Sequence, residues 1–238
     1  MNSQPVTQRP RLHDIRLVTL DLDDTLWPIA PLIEKAEARL HGWLTENCPA
    51  TARRFTPQGL RDLRQETERL HPELRDDITA LRRQSIRLAL QRAGDDGTHA
   101  DAAFDAFWSA RNEVECFDDV RPALARLKSQ FIVAAVSNGN ACVKLAGLEE
   151  YFDFALSARE AGCAKPDRTI FLNACERAGV LPQHTLHAGD DIECDVRGAL
   201  RAGLHAAWIN RDTRMLRTLA APAVTVRDLV ALADHLRV

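Results

Sequence analysis

Asp21 and Asp23 stand two residues apart in the stretch VTLDLDDTLW, at the end of an apolar run and beside Asp24. Residues i and i+2 of an extended chain face the same side, so both carboxylates can address one reacting atom. One can attack phosphorus to give an aspartyl-phosphate; the other can protonate the leaving oxygen and later deprotonate water. Other groups that such chemistry needs occur further along. Ser137-Asn138-Gly139 follows FIVAAV and offers a hydroxyl and backbone N–H groups to phosphate oxygens. Lys165, before Pro166, adds a compact positive charge. Asp190 and Asp191 follow TLHAG, and Asp195 comes shortly after. Crowded carboxylates resist ionisation. A hard divalent cation removes that cost, and Mg2+ favours carboxylate and water oxygens.

Each piece also has a plain structural account. Asp23 and Asp24 suit a turn. Ser137-Asn138-Gly139 suits a strand-to-helix turn, and Lys165-Pro166 a loop entering a helix. Asp190, Asp191 and Asp195 suit a helix N-terminus, where the dipole favours acids. What these accounts leave unexplained is that all the groups fall at one edge of the same sheet.

The periodicity of the chain creates that edge. The short apolar runs RLVTL (16–20), FIVAAV (131–136), DFALS (153–157), TLHAG (185–189) and HAAWI (205–209) read as strands. VRPALARLK, PDRTIFLNACERAG and CDVRGALRAG lie among them as amphipathic helices. Strands alternating with helices predict a parallel, Rossmann-like α/β sheet with helices on both faces. Ligands of such sheets bind outside the carboxyl ends of the strands, where the polar groups above fall. From 28 to 116 the rhythm is helical throughout. Leu32, Ile33, Ala36, Leu40, Trp43 and Leu44 repeat near 3.6 residues, Thr56-Pro57 opens a helix, and Gly94 closes another. The expected organisation is a discontinuous α/β core, residues 1–27 and 117–238, split by an all-α helical bundle at 28–116.

DLDDTLW, VSNGN, AKPD and HAGDDIECD, each following a strand and in this order, resemble the motifs of the haloacid dehalogenase superfamily of phosphohydrolases. The resemblance covers about 15–27 and 118–215, and the helical insert sits where that family carries its cap. It implies Asp21 as nucleophile, Asp23 as general acid/base, Ser137 with Asn138 and Gly139 on the phosphoryl group, and Lys165 steadying nucleophile and charge. It implies Mg2+ held by Asp21, the Asp23 main-chain carbonyl and Asp190, with Thr25, Asp191 and Asp195 in support. Dehalogenases of the superfamily lack an acid at the second position, so Asp23 favours phosphate esters over carbon–halogen bonds; a phosphomutase uses the same pair. DLDDTLW, SNGNA, LHAGDD and AWINR also resemble bacterial phosphatases acting on flavin mononucleotide and on the phosphorylated ribitylamino-uracil of riboflavin synthesis.

Composition bounds the alternatives. A net charge of −3 gives no basic surface for nucleic acid. The longest apolar run is far too short for a membrane span. Six scattered cysteines without C-x-x-C pairs read as thiols of a reducing compartment, which with the polar start MNSQPVTQRP predicts a cytoplasmic protein with a frayed tail of about ten residues; no exposed apolar stripe is legible, so a monomer is the default expectation. His184, His187 and His205 read as structural or surface residues, Trp27, Trp43 and Trp108 as packing, with Trp27 also placed to line a cleft. LRRQSIR reads as an exposed helix face, with a grip on an anionic substrate as its second reading. The expected activity is Mg2+-dependent hydrolysis of a small-molecule phosphate ester. A phospho-accepting, receiver-like signalling module is the rival from another class, and a silent binding member the third.

Overall fold

The computed structural model describes residues 14–213 and 222–238; the expected frayed N-terminal tail lies outside them. The expected strands are present as β1 (Leu17–Leu20), β2 (Ile132–Ser137), β3 (Phe154–Ser157), β4 (Thr185–Gly189) and β5 (His205–Ile209), and β6 (Val224–Val226) is added at one edge. They form one six-stranded sheet in the order β3-β2-β1-β4-β5-β6, with every pairing parallel. Leu20 lies opposite both Ala135 and Ala188. The chain leaving β1 therefore emerges between the ends of β2 and β4, at the point where the strand order reverses.

Alternation along the strands builds two cores. Val18, Leu20, Val133, Ala135, Leu186 and Ala188 pack on one face. There they meet α6 (Val120–Lys128) and α10 (Leu229–Leu236), whose Val120, Leu124, Leu127, Leu229 and Leu232 are buried. Leu17, Ala134, Val136, Ala206 and Trp208 face the other side, against α8 (Arg168–Ala178) and α9 (Gly198–Arg201). A short helix, α7 (Ala158–Ala161), follows β3 behind a Ser157–Glu160 capping box.

Between β1 and α6 the chain makes α1 (Ile29–Asn47), α2 (Pro49–Arg54), α3 (Pro57–Leu70), α4 (Ile78–Ala93) and α5 (Ala100–Arg111). Local chemistry sets their ends. The Thr56 hydroxyl accepts the Gly59 N–H and Asp77 accepts the Ala80 N–H, while Gly94 takes the left-handed φ of 83° that stops α4. Ala36, Leu40, Leu44, Ile86, Leu90, Phe104 and Phe107 form a third core belonging to these helices. This matches the all-α bundle that periodicity predicts at this place in the chain.

Candidate active site

Asp21 follows β1 directly; its backbone N–H donates to the Ala188 carbonyl at 2.9 Å, which ties the first residue after β1 to the end of β4. The chain then turns sharply. Asp24 has a φ of 57°, a left-handed conformation that Asp tolerates better than most residues. Its N–H bonds the Trp27 carbonyl, and its carboxylate accepts the Ile29 N–H at the start of α1. The Leu26 N–H closes the turn on the Leu22 carbonyl, between Asp21 and Asp23.

Lys165 comes from the loop before α8, and its Lys165–Pro166 bond is cis. The ammonium is buried and bonds Asp21 Oδ1 and, at 2.7 Å, Asp195 Oδ1. The loop carrying it is held by Asn138, whose side-chain amide bonds both the Lys165 N–H and the Lys165 carbonyl. Asp195 also accepts from His187 Nε2 at 3.1 Å, and its Oδ2 accepts the Asp191 N–H at 2.9 Å. Thr19, in the central strand, meets His187 Nδ1 through its hydroxyl at 2.9 Å. Gly189 leaves room for this: a Cβ there would collide with the Asp195 carboxylate.

Asp21, Asp190 and Asp195 each offer a carboxylate oxygen, all within 4.8 Å of one another. Burial pushes Asp21 up to about 8, and Asp195 adds to the rise against the pull of Lys165. Burial opposes the charge of Lys165, yet Asp195 and Asp21 outweigh it and hold the ammonium above its ordinary range. Asp195, though buried, is held well below the usual carboxylate range by Lys165 and His187. His187 is lowered by burial and is therefore neutral. Burial and the neighbouring Asp195 disfavour a charged Asp21, a cost that a cation would remove, and the oxygen donor set suits a hard divalent one.

Opposite this group, the Ser137 hydroxyl ends β2 and accepts the Gly139 N–H at 2.9 Å. Asp23 turns the other way, toward the helical block. Its Oδ1 accepts Trp27 Nε1–H at 2.9 Å, and Arg111 Nη2 donates to both carboxylate oxygens, at 2.7 and 2.6 Å. A Cβ on Gly139 would stand 2.7 Å from Asp23 Oδ2, 3.2 Å from Ser137 Oγ and 3.5 Å from Arg111 Nη2. Hydroxyl, carboxylate and guanidinium thus converge on one point.

A cavity of about 330 Å³ rises from there into the helical block, lined among others by Asp23, Glu37, Arg61, Arg82, Phe107 and Arg111. The Arg82 guanidinium lies 3.8 Å over the Phe107 ring. Burial, followed by the charge of Arg64, brings it down to about 10. A second cavity of about 690 Å³ opens on Ser137 and Asn138 between the helical block and the ends of β2 and β3.

All the residues singled out from the motifs meet at the carboxyl edge of the sheet. Asp21, Lys165, Asp190 and Asp195 form the acidic group. Ser137, Asn138 and Gly139 face it, and Thr25 supports it with its hydroxyl 3.5 Å from Asp21 Oδ2. Asp191 accepts the Cys194 N–H and so starts the π-helical turn Ile192–Arg197 that carries Asp195. His187 takes a structural place, one of the two read for it, as a buried partner of Asp195. Three features go beyond the sequence reading. Trp27, besides packing, holds Asp23. Arg82 faces a cavity instead of solvent. Arg111 was not singled out, although it continues the buried stripe Phe104–Phe107 of α5, which is where an arginine needs a special reason to be.

A buried aspartate, a lysine bridging two acids and a hydroxyl-bearing loop meet at the switch point of a doubly wound sheet, where enzymes of the α/β type bind their ligands. Comparison with known proteins fixes the family. The chain belongs to the haloacid dehalogenase-like hydrolases, whose family model matches residues 15–203. It is 35% identical over 84% of its length to the 5-amino-6-(5-phospho-D-ribitylamino)uracil phosphatase YigB of Escherichia coli K12, covering 86% of that protein. It is 32% identical over 65% of its length to a phosphoserine phosphatase of Thermus thermophilus, covering 66% of it. Among solved structures, a 2-haloacid dehalogenase from Pseudomonas syringae superposes with a TM-score of 0.88 at 37% identity, covering 94% of this chain and 98% of that one. Phosphatase activity is the property these sequence relatives share. Among the described residues no helix is long and apolar enough to cross a membrane.

Proposed function

We propose that the protein is a Mg2+-dependent phosphomonoesterase that works through an aspartyl-phosphate on Asp21. The observation that carries this reading is the convergence around Asp21: Lys165 on its carboxylate, Ser137 and the Gly139 backbone opposite, and Asp23 two residues on. Asp21 attacks phosphorus as the ester oxygen leaves, and Asp23 gives that oxygen a proton. Asp23 then takes a proton from the water that hydrolyses the phospho-Asp21. Lys165 and Ser137 hold phosphoryl oxygens, and preorganised donors of this kind supply much of the acceleration. Asp21 and Asp190, with the Asp23 main-chain carbonyl, would hold Mg2+, which supplies charge neutralisation for the phosphoryl group; Asp195 chiefly fixes Lys165.

Residues 28–116 serve as a cap over this core, and the 330 Å³ cavity between them and Asp23, Gly139 and Asn140 receives the leaving alcohol. The likeness to YigB makes a phosphorylated riboflavin precursor, or flavin mononucleotide, the first substrates to try. Every group in the reading comes from one chain, so a monomer suffices, and six free cysteines suit the cytoplasm.

The likeness to a solved dehalogenase raises a second reading, attack of Asp21 on a carbon bearing halide. A departing halide needs no proton, so that reading leaves Asp23 without work. Phosphate release from an ester panel with and without Mg2+, beside halide release from a 2-haloacid, separates the two. Metal-dependent phosphate release that is lost in Asp21→Asn supports the phosphatase; halide release alone overturns it.

A further inference from the structure

The charges that line the 330 Å³ cavity do not balance. Among the described residues, Asp23 and Glu37 face Arg61, Arg64, Arg82 and Arg111 there. Arg111 is hydrogen-bonded to Asp23, and Arg61 to Glu37. The guanidinium groups of Arg64 and Arg82 make no hydrogen bond among the described residues: Arg64 comes no closer than 4.0 Å to Glu68, and Arg82 no closer than 4.0 Å to Glu37. Only 14% of the Arg82 side chain is exposed, so water cannot fully replace the missing acceptors. Burial and the charge of Arg64 weigh against the Arg82 cation, and Glu37 offsets them only in part; at about 10 the group still holds its proton at neutral pH. A largely buried cation without an acceptor is costly, and a bound anion removes that cost.

The leaving oxygen departs on this side. Asp23, its proton donor in the phosphatase reading, lines this cavity and does not line the 690 Å³ one. The larger cavity also has the opposite sign, with Asp76, Asp77, Asp105 and Glu160 against Arg83 and Arg159. We propose, building on the phosphatase reading, that the substrate is an ester whose alcohol carries a second anionic group, a carboxylate or a second phosphate, and that Arg64 and Arg82 bind it. Planar guanidinium forks suit both acids. The cavity volume lies near the lower end of the usual range for ligand sites, so the alcohol is small. Arg64 belongs to α3 and Arg82 to α4. The helical block thus selects the alcohol by its charge, while the sheet edge handles the phosphoryl group.

The test is kcat/KM, with Mg2+ present, on matched pairs that differ in the second charge. 3-Phosphoglycerate is set against glycerol 3-phosphate, and fructose 1,6-bisphosphate against fructose 6-phosphate. The first pair reads a carboxylate and the second a phosphate; flavin mononucleotide, whose alcohol is uncharged, joins the neutral set. Wild type should favour the charged member of at least one pair by roughly 10–100-fold, the worth of a hydrogen bond to a charged group. Arg64→Gln and Arg82→Met should each remove most of that preference, chiefly through KM, where binding that is equal in ground and transition states is read. If Arg82→Met does not fold by circular dichroism, Arg64→Gln, at a more exposed side chain, carries the test. Proportional losses on charged and uncharged esters would show a structural role and overturn the proposal. So would a wild type that gains nothing from the second charge in either pair, or that prefers flavin mononucleotide to every charged ester. Wild type that releases phosphate from no ester would overturn the phosphatase reading itself. Calorimetry separates the two failures: the charged member of one pair should still bind more tightly than its neutral partner, and Arg64→Gln should erase the difference.

Discussion

Asn138 and Lys165 are joined by two reciprocal hydrogen bonds: the Asn138 Nδ2–H group donates to the Lys165 carbonyl at 2.8 Å, and its Oδ1 accepts the Lys165 N–H at 2.7 Å. A single side chain thereby satisfies both backbone groups of the residue that carries the central ammonium. It also locks the loop after β2 to the loop before α8, 27 residues on. Asn138→Ala should leave both Lys165 backbone groups unpaired and cost about 1–3 kcal/mol of stability. The larger effect should be on turnover, because the ammonium loses its fixed position against Asp21: kcat should fall by tenfold or more with little change in KM. Asn138→Asp can replace only the acceptor, so it should recover part of the stability but not the rate. Unchanged kcat in Asn138→Ala would mean that the loop holds Lys165 unaided.

Gly139 lacks a side chain because two functional groups occupy its place. A Cβ would meet Asp23 Oδ2 at 2.7 Å and Ser137 Oγ at 3.2 Å, both closer than ordinary packing allows. Gly139→Ala should push Asp23 away from the leaving oxygen and reduce kcat/KM for alkyl esters by at least about tenfold, the order expected when general acid catalysis is impaired. Residues that act as a unit are non-additive. The double variant Gly139→Ala/Asp23→Ala should therefore be no slower than Asp23→Ala alone. Additive losses would show that the glycine matters chiefly for the phosphate loop.

The acidic group predicts a metal response that can be read without turnover. Asp21, Asp190 and Asp195 crowd within 4.8 Å, and a cation that binds only the folded state stabilises it by about 2.7 kcal/mol at a hundred times its Kd. Added Mg2+ should raise the Tm in a concentration-dependent way, and a chelator should abolish phosphate release. Asp190→Asn removes one donor while leaving the Lys165 bonds intact, so it should lose most of the Tm response. A Tm indifferent to Mg2+ would count against metal binding at these carboxylates.

Much of this arrangement is legible in the sequence because local rules produce it. The five longer strands are four to six residues of apolar alternation, and Asp21, Ser137 and Asp190 fall within one residue of strand ends. The first five helices differ from expectation chiefly in the addition of short α2. What is not legible comes from packing between distant segments. Arg111 meets Asp23 across 88 residues; only its place on the apolar stripe of α5 hinted at a buried role. His187 sits in a strand among apolar residues, and its link to Asp195 exists only because the π-helical turn folds that carboxylate back under Gly189. Arg82 and Arg83 are neighbours in one arginine-rich helix, yet Arg82 stacks on Phe107 in the wall of one cavity while Arg83 stacks on Phe104 in the wall of the other and pairs with Asp101. Composition treats them alike, and only the helix's orientation separates them. Strand β6 is three residues long and half exposed, too short for alternation to register.

Arg211, two residues after β5, shows how the turn after Asp21 is braced from a neighbouring strand end, and it gives a prediction that pH can test. Its guanidinium bonds the Asp119 carboxylate in a fork at 2.9 and 3.0 Å and also donates to the Thr25 carbonyl at 2.8 Å. Asp119 accepts in addition the Leu229 N–H at 2.8 Å, so one carboxylate ties the turn bearing Thr25 to the start of α10. Burial disfavours the Asp119 charge, but the bonds from Arg211 and Leu229 outweigh it and hold the group below its ordinary 3.8. A carboxylate depressed in the folded state contributes stability that is present in full above its unfolded pKa and is lost as pH falls through its folded pKa. Asp119→Asn should therefore be less stable than wild type at neutral pH, by urea denaturation. The gap should persist down to about pH 4 and close below that, as wild-type Asp119 takes up its proton. A gap of constant size from pH 7 to pH 3 would assign the loss to altered packing in place of the ion pair, and no gap at neutral pH would show that the brace is dispensable.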